Sequence, residues 1–471
     1  MRYTLTFFFI LLAQISISQT SVINNEELLT FEEYLGYVKQ HHPLVKQANL
    51  TLSVGEANLL KARGGFDPKI EVDYDRKKFK SIEYFDQLNA TFKIPTWYGI
   101  EFKANFEENT GQFLNPNLTV PEGGLYTAGV SFSLAQGFLI NDRMAMLKKA
   151  RFFREQTKAD RNLLVNELLF EASKAYFQWL EATNEQYIYE RFLKNASDRF
   201  IGVKRNVESG ENAAIDSVEA KIVVSERQLN HEAAKLKRRK AALNLSNFLW
   251  LNDIPVELQE NVAPEVPEDY ILRSVLTIDG ITTNQNSVSD HPKMKSLGYK
   301  IDGLSVDRSL KRNKLLPKIG LQYNFLSSDY DQINTFNTSN YKAGLNISLP
   351  IFLRKERGDL KLANLKLKDA EFERLSTELS LQNKITAANV EISSLSKQND
   401  YIRSMVSNYS ALVKAEERKF FLGESSLFLI NTREKSLINS QIKENMLNVK
   451  RLTANASLFH AMGIMITEVA Q

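Results

Sequence analysis

Apolar and polar residues alternate strictly in six stretches of this chain. Ile70, Val72 and Tyr74 are interleaved with Lys69, Glu71, Asp73 and Asp75, and Leu88, Ala90, Phe92 and Ile94 with Asn89, Thr91 and Lys93. Tyr98, Ile100, Phe102, Ala104 and Phe106 oppose Glu101, Lys103 and Asn105. Tyr126, Ala128, Val130, Phe132 and Leu134 oppose Thr127, Gly129, Ser131 and Ser133. Ile319 to Phe325 and Tyr341 to Leu349 repeat the pattern. A period of two predicts strands with one apolar and one polar face. Tyr74, Trp97, Tyr98, Tyr126, Tyr323 and Tyr341 fall near the segment ends, where a membrane barrel carries its aromatic girdle. A water-soluble sandwich shows the same alternation, so the strands alone do not separate the two.

Elsewhere the period is helical. Leu168, Ala172, Ala175, Trp179 and Ala182, and later Leu381, Ile385, Ala388, Ile392 and Leu395, recur at 4-3 spacing, the seam of a coiled coil. No proline occurs between Pro121 and Pro255 or after Pro350, and a proline would have broken a helix. A helix over Asp142–Glu208 would run ~100 Å at 1.5 Å per residue. Each region is broken once, at Ser209-Gly210-Glu211-Asn212 and at Leu422-Gly423-Glu424-Ser425. Two very long antiparallel helical hairpins are the expectation.

The breaks belong to a larger repeat. His42-Pro43 and His291-Pro292 are each followed, 25 residues from proline to proline, by Pro68-Lys69-Ile70 and Pro317-Lys318-Ile319. Tyr126-Thr127-Ala128-Gly129-Val130 reads like Tyr341-Lys342-Ala343-Gly344-Leu345. Shared order and spacing point to a duplicated unit. The expected organisation is a signal peptide at 1–18, an N-terminal segment and first helix at 19–66, and first-repeat strands at 67–135. A long hairpin follows at 136–251, a linker at 252–290 and a second-repeat helix at 291–315. Strands at 316–350 and a hairpin with C-terminal helix at 351–471 complete it.

The N-terminus changes the picture. Met1-Arg2, the apolar run Phe7 to Leu12 and the small residues Ser16 and Ser18 compose a secretory signal too short to span a bilayer. Export plus helices too long for a compact domain favours strands that cross a membrane. Six strands do not close a useful pore, since small barrels need about eight, so several copies must share one barrel. Charge is nearly balanced, 60 Lys+Arg against 56 Asp+Glu, which argues against nucleic-acid binding. Cysteine is absent and five histidines form no HExxH pair, so thiol and common zinc chemistry are excluded. No cofactor and no enzymatic activity are expected.

Signal peptide, duplicated strand-helix halves, paired His-Pro starts and a glycine break in each hairpin together resemble the TolC-like outer-membrane efflux family. The resemblance implies an α+β membrane protein. Three protomers would share a transmembrane β-barrel continuous with an α-helical coiled-coil tunnel in the periplasm. It implies a passive exit duct of a tripartite efflux or type I secretion system, set in outer-membrane lipid. Its partners would be a periplasmic adaptor (membrane fusion) protein and an inner-membrane pump; a periplasmic coiled-coil adaptor is the competing reading. Adaptor docking then falls to the turns around Gly210, Ala213, Gly423, Ser426 and Leu427, and the tunnel-entrance gate to Asp216, Glu219, Leu429, Asn431 and Thr432. Two departures stand out. The pair Leu88–Ile94 and Tyr98–Phe106 is extra, which raises a trimeric barrel from 12 strands to about 18 if it joins. Leu429 and Thr432 stand where known members carry acidic residues, while Asp216 and Glu219 keep acids in the first half.

Overall fold

The computed structural model describes residues 27–276 and 288–464. The signal peptide expected at 1–18, part of the linker and the last residues of the C-terminal segment lie outside that range. The chain divides into two units, residues 1–42, 171–275 and 393–453 forming one, and 43–170, 276–392 and 454–471 the other.

The second unit holds the six strands in one antiparallel sheet. They are β2 (Lys69–Phe79), β3 (Ile82–Pro95), β4 (Ile100–Thr110), β5 (Leu125–Ala135), β9 (Lys318–Ser327) and β10 (Tyr341–Ser348), in the order β10-β9-β5-β4-β3-β2. The extra pair therefore lies inside the sheet, between β2 and β5. The strands run longer than the alternation suggests. β2 and β3 meet through Lys80 and Ser81, both left-handed at φ 49° and 64°, a two-residue turn whose twist suits a hairpin. Neither residue is the Asn-Gly or Asp-Gly that advertises such a turn, so the sequence understates both strands. Tyr98, expected in a strand, lies instead in the turn before Gly99, whose φ is +68°. Helices α2 (Pro43–Arg63), α3 (Asp142–Glu208), α6 (Pro292–Asn313) and α7 (Arg354–Phe421) also contribute to this unit. Leu59 and Ala62 of α2 are buried with Leu147 and Ala150 of α3, and Phe66 and Trp97 stack at 5.6 Å beside them. His291 caps α6, its Nδ1 accepting from the Lys293 N–H at 3.0 Å, with Pro292 in the first turn. Proline suits that position, where its missing N–H costs nothing.

The first unit is built around α1 (Phe31–His41), the later parts of α3 and α7, α4 (Ala214–Ser246), α5 (Asp269–Val275) and α8 (Leu427–Met462). Thr30 caps α1 through its hydroxyl and His42 closes it, before Pro43 starts the next helix. Phe31 stacks on Phe177 at 5.1 Å and meets Tyr176 edge-on at 5.3 Å, while the Tyr34 hydroxyl donates to the Ala172 carbonyl at 3.2 Å. Trp179, Tyr176 and Phe177 are fully buried here, as structural packing requires. Two small features escape the sequence. β1 (Glu27–Leu29) pairs in parallel with β8 (Val262–Pro264), and β6 (Trp250–Leu251) with β7 (Ile254–Pro255). These strands of two or three residues are too short to show a period.

Candidate functional site

Cross-strand register gives the sheet two chemically opposite faces. Ile70, Phe92, Ala104, Ala128, Phe325 and Tyr341 stand in one row across all six strands. Ile94, Phe102, Val130, Tyr323 and Ala343 form another, and Leu134, Ile319 and Ile347 a third. The intervening rows carry Glu71, Thr91, Asn105 and Thr127, or Glu101, Ser131, Gln322 and Gly344. Neither face is covered: Pro95 is the one buried residue in these strands, while Ile70 is 75% and Leu345 64% exposed. A sandwich would bury its apolar rows against a second sheet. Among the described residues nothing packs over this apolar face.

The sheet also has two open edges. Among the described residues β2 and β10 each pair on one side only, and almost every residue of both is exposed. An open edge is a template for another strand. Six antiparallel strands leave β2 and β10 pointing in opposite directions, so β10 of one copy can pair antiparallel with β2 of another.

The second candidate region is the pair of helix turns in the first unit. After α3 the Glu211 N–H bonds to the Asn206 carbonyl at 2.8 Å and the Gly210 N–H to Val207 at 3.1 Å; after α7 the Glu424 N–H reaches Lys419 at 2.9 Å and the Gly423 N–H Phe420 at 3.0 Å. Both are Schellman closures, with glycine in the left-handed position they require (φ 82° and 77°). Gly210, Ala213, Gly423 and Ser426 are exposed around these turns, whereas Leu427 is buried with Val203 and Ala220. Sequence reasoning missed the apolar rim beside them. Phe421 is 88% and Phe428 66% exposed, with Ile215 and Leu422 also open.

Of the five gate candidates, Leu429 and Thr432 are exposed and Asp216 half-buried, while Asn431 and Glu219 are drawn together. The Asn431 amide donates to Glu219 at 3.2 Å, and the Arg199 guanidinium donates to Asn431 at 3.3 Å. Behind them lies a cluster that no motif announced. Glu434 is 0% exposed and accepts from Arg199 at 3.0 and 3.4 Å, with Arg227, 3% exposed, at 3.7 Å. Glu417 stands 3.5 Å from Arg199. Residues from α3, α4 and α8 are thus joined through one buried carboxylate, and α7 is tied in through Arg199. A 4-3 pattern that places Glu434 on the inner seam of α8, among Ile430, Leu437 and Ile438, was the signal available in the sequence.

The basic run Lys235–Lys240 is not a free cationic patch. Lys237 bonds to Glu181 and Glu185 at 3.2 and 2.5 Å, Arg238 to the carbonyls of Glu260 and Val262, and Arg239 to Glu257 at 2.7 Å.

Residues 285–464 match the family model for outer membrane efflux proteins. That stretch, less than half of the chain, is similar to outer membrane efflux proteins. The pyoverdine export outer membrane protein OpmQ of Pseudomonas putida is 21% identical over 316 residues, 66% of this chain. That match spans 64% of OpmQ, just under two thirds of its length. Among solved structures, the Campylobacter jejuni CmeC outer membrane channel superposes with a TM-score of 0.67 at 15% identity, covering 92% of this chain and 85% of CmeC. CusC gives 0.67 at 14% identity over 91% of each chain. The Neisseria gonorrhoeae MtrE outer membrane channel gives 0.65 at 14% identity, over 92% of this chain and 88% of MtrE. At such identities the superpositions establish the fold.

Proposed function

We propose that this protein is the passive exit duct of a tripartite efflux or type I secretion system. Three copies would share one barrel of 18 strands, six from each, with the helical hairpins forming the periplasmic tunnel. The observation that carries this reading is the uncovered sheet: one face apolar, one polar, and two edges free to pair antiparallel. Lipid would cover the apolar rows and water the polar ones, as in a membrane barrel. Barrels of 16–18 strands leave an aqueous channel, which 12 strands from two copies would narrow. Energy would come from the inner-membrane pump and no covalent chemistry is assigned to the chain. The exposed apolar rim of Phe421, Leu422, Phe428 and Ile215 suits contact with an adaptor's helical hairpin.

The test is the mass and conductance of the detergent-extracted protein. A particle of three chains that loses its form only on heating, and passes ions across a planar bilayer, is the expected result. A freely soluble monomer without conductance would end the proposal.

A further inference from the structure

One cross-strand row on the polar face collects lysines. Lys69 stands opposite Lys93, Lys93 opposite Lys103, and Lys103 opposite Gly129; Gly129 stands opposite Asn324, and Asn324 opposite Lys342. Four of the six places hold an ammonium group. A Cβ at Gly129 would lie 2.1 Å from Asn324 Oδ1, so the missing side chain lets the Asn324 carboxamide lie over β5 within the same row. Lys69 opens β2 on the side where the chain arrives from α2, while Lys342 follows the loop before β10. The row therefore climbs obliquely from one end of the sheet to the other.

Its neighbours offset it only in part. Glu71, one row away, is ion-paired with Lys93, and Glu101, one row to the other side, with Arg143 at 2.5 Å. Asp73 and Glu107 share a row two steps off, where Glu107 accepts from the Asn105 amide at 2.8 Å. Among the described residues, Lys69, Lys103 and Lys342 have no carboxylate within ion-pair distance. Like charges directly opposite one another destabilise a sheet, and adjacent strands are only ~4.8 Å apart. Lysines on three neighbouring strands thus repel one another, and the one carboxylate set among them, Glu71, pairs with Lys93 while its charge also reaches Lys69 and Lys103, leaving three ammonium groups to a single acid.

We propose that the lysine row is an anion-attracting stripe along the water-filled bore, giving the duct a preference for anionic solutes such as carboxylates and phosphates over cations. The proposal rests on the reading above that the polar face lines the bore. In the shared barrel each copy would add one stripe, so an anion in transit would stay near an ammonium along much of the sheet. Ions closer than the Debye length, ~8 Å at physiological salt, feel such charges without full screening.

The chain has no cysteine, so Thr127→Cys, two residues along β5 from Gly129 on the same face, supplies a single thiol reporter. Its rates with a sulfonated and a trimethylammonium methanethiosulfonate, each normalised to a free thiol in solution, read the local potential whether the tunnel entrance is open or shut. The expected ratio favours the anionic reagent and falls at least about threefold when Lys69, Lys103 and Lys342 are all changed to Gln, but not to Arg. The second measurement is the chloride-to-potassium permeability ratio in planar bilayers of neutral phosphatidylcholine under asymmetric KCl. It should exceed one and fall in the Gln variant.

A thiol ratio that ignores the three lysines, in a protein that conducts, removes the stripe and leaves the duct standing. A ratio that responds while ion selectivity does not move refutes the solute preference. A thiol that neither reagent reaches, or a reconstituted protein that passes no current, overturns the duct reading and this proposal together.

Discussion

Glu434 offers the sharpest test of how the four helices near the turns are held together. Its carboxylate is fully buried, bonded at 3.0 and 3.4 Å to Arg199 and 3.7 Å from Arg227. Glu434→Gln keeps the shape and removes the charge. Removing one partner from a buried pair costs ~3–5 kcal/mol, because the remaining charge stays out of water unpaired. Arg199 retains Glu417 at 3.5 Å, and Arg227 retains Glu226 at 3.9 Å. The loss should therefore sit near the lower bound, about 3 kcal/mol. If that cost is local, the open population of this region rises about a hundredfold. Amide hydrogen exchange reads it directly: protection should fall in residues 199–227 and 417–434 while the sheet keeps its own. Lys435→Gln, which breaks the exposed contact with Glu226 at 3.9 Å, should change little, within about 0.5 kcal/mol. Replacing Arg199, Arg227 and Glu434 together by Leu should recover much of the protection, since a buried triad exchanged for apolar groups is often neutral. Unchanged protection in Glu434→Gln, or no recovery in the triple variant, would refute the account.

Other outcomes follow from the same geometry. Gly210→Ala and Gly423→Ala each force a Cβ into a left-handed position with open space around it; each should cost about 1–2 kcal/mol in thermal unfolding followed by circular dichroism, and Asn in place of Ala less. Val130→Lys puts a charge on the apolar face and should cost ~2–4 kcal/mol near mid-membrane, seen as lost heat-resistant oligomer on gels, whereas Thr127→Lys on the polar face should leave the oligomer intact. Burial holds the His291 imidazole neutral, bringing its pKa down to about 4, and the charges of His460 and Lys384 push the same way. A depressed pKa means the unfolded chain binds the proton first, so this contribution is complete above about pH 6.5 and is lost as pH falls towards 4, on the order of 3 kcal/mol in all. Melting temperature between pH 7 and 4 should fall less steeply in His291→Asn, which keeps the cap to Lys293 without the titration; parallel slopes would count against it.

What could be read in the chain before its structure, and what could not, follows from the range of each interaction. Period-two and 4-3 patterns are enforced along every turn of an element by its surroundings, so all six strands of the sheet and the long helices were visible. The Lys80-Ser81 turn was not, because side chains tolerate a left-handed pair when two strands already hold the hairpin closed. The Glu434 cluster needs four helices brought to one place, and the sequence contains only its separate members, two arginines and two carboxylates on different helices. Gly210 and Gly423 lie between these extremes, since a glycine deep in a helical stretch has a local reason to be there. The lysine row shows the same division. Each lysine looks like an ordinary polar place in an alternating strand, and nothing in the chain marks them as a set. Only register makes Lys69, Lys93 and Lys103 neighbours, and register is fixed by which face the apolar residues must share, because a slip of one residue would turn every side chain over. The same apolar constraint that gathers the hydrophobic rows on one face therefore decides which charges share the other.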